Sequence, residues 1–216
     1  MTPSPRLAEA VERATGRRPA RTRPLTGGCI AQVLRVELEG GGALVAKVAE
    51  GAGNLALEAR MLRYLAEHSR LPVPAVLHGD DGLLLIEFVE SSGGLDASAE
   101  VHAAELLAEL HGVTAPAFGF DWDTLIGPLA QPNPWTEDWR DFFRDRRLLY
   151  MGRLALDAGR LPAASFAGLE RLSGRLDRYI DAGGRPSLIH GDVWGGNVLA
   201  REGRIAAFLD PAIYFA

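Results

Sequence analysis

The spacing of apolar residues changes several times along the chain, and each change predicts an element. After Ser4-Pro5, the residues Leu7, Ala8, Ala10, Val11 and Ala14 recur at helical spacing, with Ser4 placed to cap the helix and Pro5 to open it. Arg21–Leu25, Val33–Leu38 and Ala43–Val48 read as strands, the last two joined by Gly40-Gly41-Gly42. A helix is predicted from Asn54 to His68 on Leu55, Leu57, Met61, Leu62 and Leu65. Beyond Pro72-Val73-Pro74, Ala75–His78 and Leu83–Val89 flank Gly79-Asp80-Asp81-Gly82 as a hairpin.

From Ala97 to Leu110 the period is again helical, and residues 113–135 show little periodicity, so a long functional loop is expected there. Thr136 is the predicted cap of a helix running to Asp157, whose charged residues Arg140, Asp141, Arg144, Asp145, Arg146 and Arg147 read as a salt-bridged outer face. Leu161-Pro162 opens another helix toward Ile180. Ser187-Leu188-Ile189 is a short strand, and Val198–Ala200 and Ile205–Leu209 form a hairpin around Arg201-Glu202-Gly203-Arg204. The expected class is α+β, with a small β-rich N-terminal lobe over residues 1–89 and a mainly helical C-terminal lobe over residues 90–216.

Composition narrows the function. Hydrophobic residues make up 47% of the 216 residues and the net charge is −5. With mean hydropathy +0.01, pI about 5.6 and no long basic run, nucleic acid is not an expected partner. No apolar run approaches the ~20 residues of a membrane span, and the N-terminus lacks the apolar core of a secretory signal. The single cysteine, Cys29, suits a reducing cytoplasm. A monomer is expected, with a Cys29-linked dimer as the alternative. The chain holds 22 arginines and one lysine, Lys47, which points to a place where a compact ammonium is needed and a planar guanidinium does not fit.

The densest chemistry lies between His190 and Asp210, read as His-Gly-Asp-Val-Trp-Gly-Gly-Asn, a hairpin, then Leu-Asp-Pro. Asp192 stands five residues before Asn197, and Asp210 follows thirteen after it. In kinase-type phosphoryl transfer, a loop Asp takes the hydroxyl proton, while an Asn on the same loop and an Asp on a neighbouring strand hold magnesium. The predicted hairpin would set Asn197 beside Asp210, and Gly191, Gly195 and Gly196 would allow tight backbone paths. Lys47 lies in Val45-Ala46-Lys47, a strand pattern whose lysine contacts the α- and β-phosphates. Glu58, eleven residues on and within the predicted helix, is the candidate partner of Lys47. Gly27-Gly28-Cys29 is a Gly-rich turn able to cover phosphates with backbone N–H groups. Phe88 to Ser92 is the expected hinge, and Glu87, Phe88 and Val89 are the candidate contacts to an adenine edge. No cluster of zinc-type ligands is visible.

With these residues placed, the chain resembles the fructosamine/ketosamine-3-kinase family, within the group similar to aminoglycoside phosphotransferases. The likeness runs from Leu110-His111 and Thr114-Ala115-Pro116 through Phe118-Gly119, Ile126-Gly127, Gln131-Pro132-Asn133, Trp135, Trp139, Phe142-Phe143 and Arg146-Arg147-Leu148. It continues in His190–Asn197 and Asp210–Tyr214, and is looser in the N-terminal part, at Gly27–Ile30 and Lys47. The resemblance implies a two-lobed protein-kinase-like fold and ATP-dependent phosphorylation of the sugar O3 of a ketosamine. Asp192 would be the base, and Asn197 and Asp210 would bind Mg2+. Lys47 would hold the phosphates, oriented by Glu58, and Trp194, with His190, would line the sugar site. Gln131 and Asn133 suit sugar hydroxyls. Members of the family continue for several helices past the point equivalent to Ala216, so a truncated C-terminus is expected, with Ala212-Ile213-Tyr214-Phe215 lacking cover. The alternatives are a kinase of another small alcohol, such as an aminoglycoside or choline, and a non-catalytic nucleotide-binding module.

Overall fold

Ser4 and Pro5 start the first helix as their chemistry dictates. The Ser4 hydroxyl accepts the Leu7 N–H at 3.4 Å, and Pro5, which has no N–H to leave unpaired, opens α1 (Pro5–Thr15). Gly16, at φ 69°, ends it by donating its N–H to Glu12 at 2.8 Å. This geometry comes from a computed structural model, which describes residues 3–25, 31–49, 53–92, 94–181 and 184–216. The Gly27-Gly28-Cys29 turn lies outside the described residues.

Five antiparallel strands follow: β1 (Pro19–Pro24), β2 (Ala31–Leu38), β3 (Ala43–Ala49), β4 (Val76–Asp80) and β5 (Leu83–Glu87), in the order β1-β2-β3-β5-β4. Helix α2 (Leu55–His68) lies between β3 and β4 in the chain. Strand parity sorts the two faces of the sheet. Leu34, Val36, Leu44, Ala46, Leu83 and Leu85 pack with Leu7, Ala10 and Val11 of α1. Leu84 and Ile86 pack with Leu55, Ala59 and Leu62 of α2, with Val45 and Ala49 against the same cluster. The unbroken run Leu83–Ile86 is therefore a strand covered on both sides, not one half of an alternating pattern.

Cα packing divides the protein into two compact units, Met1–Leu110 with His190–Ala212, and His111–Ile189 with Ile213–Ala216. In the first, α3 (Ala97–His111) meets the hairpin of β9 (Val198–Arg201) and β10 (Arg204–Phe208), where the Ile205 N–H donates to His102 Nδ1 at 3.0 Å. The second unit holds a feature that the aperiodic sequence concealed. Residues 113–135 contain a small hairpin, β6 (Thr124–Ile126) with β7 (Leu129–Gln131). The following helix begins at Trp139 rather than beside Thr136. Asp138 is its cap, accepting N–H groups from Arg140 at 2.7 Å and Asp141 at 3.4 Å, whereas Thr136 pairs through its backbone with Phe118. α4 (Trp139–Phe142) passes through a π-helical turn (Phe143–Leu148) into α5 (Leu149–Asp157). α6 (Ala163–Ser173) stops at Gly174, short of the expected Ile180, and a 3-10 turn (Leu176–Arg178) follows.

Three expectations fail for physical reasons. The wide π turn inserts an extra residue into the helical register. Arg144 stays outside with Asp141 and Asp145, at 2.7 Å from each, but Arg147 turns inward and is 9% exposed. Its guanidinium donates to Pro132 O at 3.0 Å and Asn133 Oδ1 at 2.5 Å, and lies 4.0 Å from the ring centre of Tyr214. Asn133 in turn donates to Thr124 Oγ1 at 2.8 Å, and Thr124 donates to Gln131 at 3.1 Å. Gln131 and Asn133 are buried and committed to this network, so they do not offer their amides to a sugar. The segment Ala212–Phe215 also has its cover. β11 (Tyr214–Phe215) pairs with β8 (Leu188–Ile189), and Ala212, Ile213 and Phe215 are buried.

Arg147→Lys should lower the unfolding free energy by roughly 2 kcal/mol, because an ammonium cannot keep both the fork to Pro132 and Asn133 and the stack on Tyr214. A urea midpoint equal to that of the unsubstituted protein would show the network to be dispensable.

Candidate active site

Parity puts the Lys47 side chain on the α2 face of the sheet, alongside Val45 and Ala49. On α2, Leu55, Ala59 and Leu62 face the sheet and Glu58 flanks them, within reach of the strand. Lys47 Nζ lies 2.7 Å from Glu58 Oε1 and also bonds Asp210 Oδ1. Burial opposes a charge on Lys47, but the Glu58 and Asp210 carboxylates outweigh it and hold the ammonium above its usual range. Burial, reinforced by the negative charge of Asp210, pushes the Glu58 carboxyl up despite Lys47.

The loop carrying Asp192 is closed by two short-range ties. Asn197 Nδ2 donates to the Asp192 carbonyl at 2.9 Å and to Asp192 Oδ2 at 2.8 Å. The Asn197 N–H donates to Trp194 O at 2.9 Å, making a turn from 194 to 197. At the start of the loop, the Ala212 N–H donates to His190 O at 2.7 Å. Gly191 has φ 86°, and a Cβ there would collide with Ala212 O, so both conformation and space demand glycine.

The hairpin then delivers Asp210. β9 and β10 pair antiparallel around Glu202 and Gly203, both at positive φ, the geometry of a two-residue hairpin turn. The Leu209 N–H donates to Asn197 O at 2.8 Å, which sets the residue before Asp210 against Asn197. Asp210 itself is held at φ 53°, a strained conformation for a residue with a Cβ and one that recurs at functional sites.

Among the described residues, no group of three or more His, Cys, Asp or Glu side chains could hold a metal ion. Asn197 and Asp210 offer hard oxygen donors instead. Both N–H bonds of the Asn197 amide go to Asp192, which leaves its Oδ1 free as an acceptor. One amide oxygen and one carboxylate fit an ion that takes most of its remaining oxygens from phosphates and water, as magnesium does.

The remaining candidates are placed as follows. Trp194 is 61% exposed. Glu87 ends β5, with its N–H on Ala75 O at 2.9 Å, and the Phe88 ring lies 4.0 Å from the Arg35 guanidinium. His190 is 1% exposed, with its ring centre 5.7 Å from that of Phe208, so its imidazole belongs to the core and does not line a sugar site. The Gly191–Ala212 contact went unread in sequence. Only the pairing of two distant segments reveals it.

This arrangement sits on a known scaffold. The chain superposes on the aminoglycoside phosphotransferase APH(4)-Ia with a TM-score of 0.66 at 16% identity, covering 99% of this chain and 73% of that one. The fold is thus the two-lobed, protein-kinase-like fold that this aminoglycoside phosphotransferase also has. A nearer likeness, TM-score 0.85 at 30% identity over 97% of this chain and 74% of the other, is to a Thermobifida fusca protein assigned as a fructosamine-3-kinase. In sequence, the chain is 30% identical to the chloroplastic protein-ribulosamine 3-kinase of Arabidopsis thaliana over 88% of its length. It is 32% identical over 97% of its length to a Synechocystis protein assigned as a ketoamine kinase. Residues 4–216 match the fructosamine kinase family, and the chain belongs to that family. It spans 60% of the Arabidopsis relative and 72% of the Synechocystis one. Among the described residues, no helix is long and apolar enough to cross a membrane.

Burial also sets a pH dependence, because it pushes the His190 imidazole down to about 4 from an ordinary 6.5. As pH falls, the unfolded chain takes up this proton first. Stability from the neutral ring is therefore fully present above about 6.5 and is lost toward about 4, by roughly 3 kcal/mol. His190→Gln should flatten that part of the acid slope in urea titrations across this range. An unchanged slope would assign the acid sensitivity to other groups.

Proposed function

We propose that the protein transfers the γ-phosphoryl group of ATP to the O3 hydroxyl of a ketosamine, a ribulosamine or fructosamine carried on a small amine or a protein. One observation carries this reading. In a member of the fructosamine kinase family, the sole lysine joins a helix glutamate to the aspartate that follows the Asp192–Asn197 loop. The name of the Arabidopsis relative, a protein-ribulosamine 3-kinase, supports the choice of acceptor.

In this reading Asp192 accepts the proton of the attacking hydroxyl, with its carboxylate aimed by Asn197. Lys47 holds the α- and β-phosphates and Glu58 fixes the ammonium. Glu87, Phe88 and Val89 meet the adenine. Asn197 and Asp210 would hold Mg2+, which would supply charge neutralisation at the transferring phosphoryl group. Trp194 offers an aromatic face to the apolar side of the sugar. The lobes are residues 1–89 and 90–216, and the reaction belongs to the cytoplasm. Positioning and electrostatics, rather than covalent catalysis, account for most of the acceleration.

Asp192→Asn should keep ATP·Mg binding while lowering kcat by at least ~10²-fold, the scale of a general base. Retained kcat would remove Asp192 from that role. The acceptor is tested by competition between a fructosamine or ribulosamine of a simple amine and kanamycin, at equal concentration with ATP and magnesium. Phosphate is expected on the ketosamine. Phosphate mainly on kanamycin would overturn the acceptor and leave the phosphoryl transfer standing.

A further inference from the structure

Gly195 and Gly196 stand side by side in the loop and differ in what surrounds them. Neither has a backbone φ in the left-handed region, so conformation alone asks for glycine at neither position. A Cβ on Gly195 would meet nothing within 4 Å. A Cβ on Gly196 would run into the six-membered ring of Trp194, against Cη2, Cζ2 and Cζ3, the last 2.6 Å away. The outer edge of the indole thus occupies the space that a side chain at 196 would fill.

We propose that Gly196 is the seat of the Trp194 indole and, through it, a positioning residue that sets acceptor selectivity. This inference rests on the acceptor role given to Trp194 above. The backbone at Trp194 is already fixed relative to Asp192, because its carbonyl accepts the Asn197 N–H at 2.9 Å and Asn197 is bonded twice to Asp192. The freedom that remains is the Trp194 rotamer. With 61% of the residue in water, few contacts choose that rotamer, and the bare Cα of Gly196 leaves room for the observed one. An alanine at 196 would exclude it and turn the ring to another staggered position, about 120° away in χ1. The atom that must yield is the far end of an exposed side chain, so the fold is not at stake. Asp192, Asn197 and the nucleotide side of the site keep their ties while the aromatic face moves.

The test compares Gly196→Ala with Gly195→Ala in the whole protein. Gly196→Ala should raise the KM for a ketosamine on the order of ten-fold, the scale of one lost aromatic contact. The KM for ATP and the melting temperature should stay put, and Gly195→Ala should change none of these. The indole N–H resonance of Trp194, identified by its loss in Trp194→Phe, should shift in Gly196→Ala and not in Gly195→Ala. In a Trp194→Ala background, Gly196→Ala should add nothing further. If Trp194→Ala raises the acceptor KM but Gly196→Ala leaves both KM and resonance unchanged, the seat is overturned. It is equally overturned if the effect of Gly196→Ala persists without the indole. If Trp194→Ala leaves the acceptor KM unchanged, or the unsubstituted protein turns over no ketosamine, the acceptor role of Trp194 fails first and this use of Gly196 falls with it.

Discussion

A single ammonium holds the candidate site together. Lys47 joins two carboxylates that come from segments far apart in the chain, Glu58 eleven residues away and Asp210 at a separation of 163. An amine on a central strand beneath a packed helix would ordinarily lose its charge to desolvation. Two acids reverse that, and each acid depends on the cation in return. Without Lys47, the largely buried Glu58 would face the half-exposed Asp210 with no cation between them, and the two carboxylates would repel one another. The triad is therefore a constraint on the first unit as well as a charge array: β3, α2 and the end of β10 must all be in register for it to form. A guanidinium is a poor substitute here, since a longer, planar fork would have to take the place of a compact point charge between the strand and the helix. In a chain of 22 arginines, the one lysine stands at this junction of strand, helix and hairpin.

How much of this was legible in the sequence depends on the range of the interaction that decides each feature. Local rules read well. Ser4-Pro5 marks a helix start, a polar segment with Gly203 marks a hairpin, and the parity of Val45 and Lys47 follows from period two alone. The partnership of Lys47 and Glu58, and the placement of Leu209, the residue before Asp210, against Asn197, were reachable because one strand–helix step and one tight hairpin separate the members. What failed was the orientation of polar residues in the second unit. Arg147, Gln131 and Asn133 have the composition of a wet surface, and only their mutual hydrogen bonds make them interior. A π turn shifts Arg147 off the charged face, and no pattern in Phe143–Leu148 announces it. The cover of Ala212–Phe215 comes from pairing with β8: Ser187–Ile189 reads as a strand in the sequence, but its partner Tyr214–Phe215 is only two residues long and carries no period of its own.

Asn197 shows how narrowly the residue type is specified once the geometry is known. Its amide has two N–H bonds and one carbonyl oxygen. The nitrogen gives both its bonds to Asp192, one to the backbone carbonyl and one to the carboxylate, at 2.9 and 2.8 Å. That aims the proposed base and leaves the oxygen as a neutral acceptor, open to the cation proposed to lie at Asp210. An aspartate at 197 would supply the metal-facing oxygen but no N–H, and would set a negative charge directly against Asp192. A glutamine would keep the chemistry but carry the amide one methylene further, out of line with the turn that Trp194 and Asn197 close. A serine could donate only one bond. The same side chain therefore answers to the loop, to the proposed base and to the proposed ion, and asparagine meets all three demands at this reach. The five-residue spacing from Asp192 follows from the same geometry, because it is the length of loop that brings the amide back onto the carboxylate it must orient.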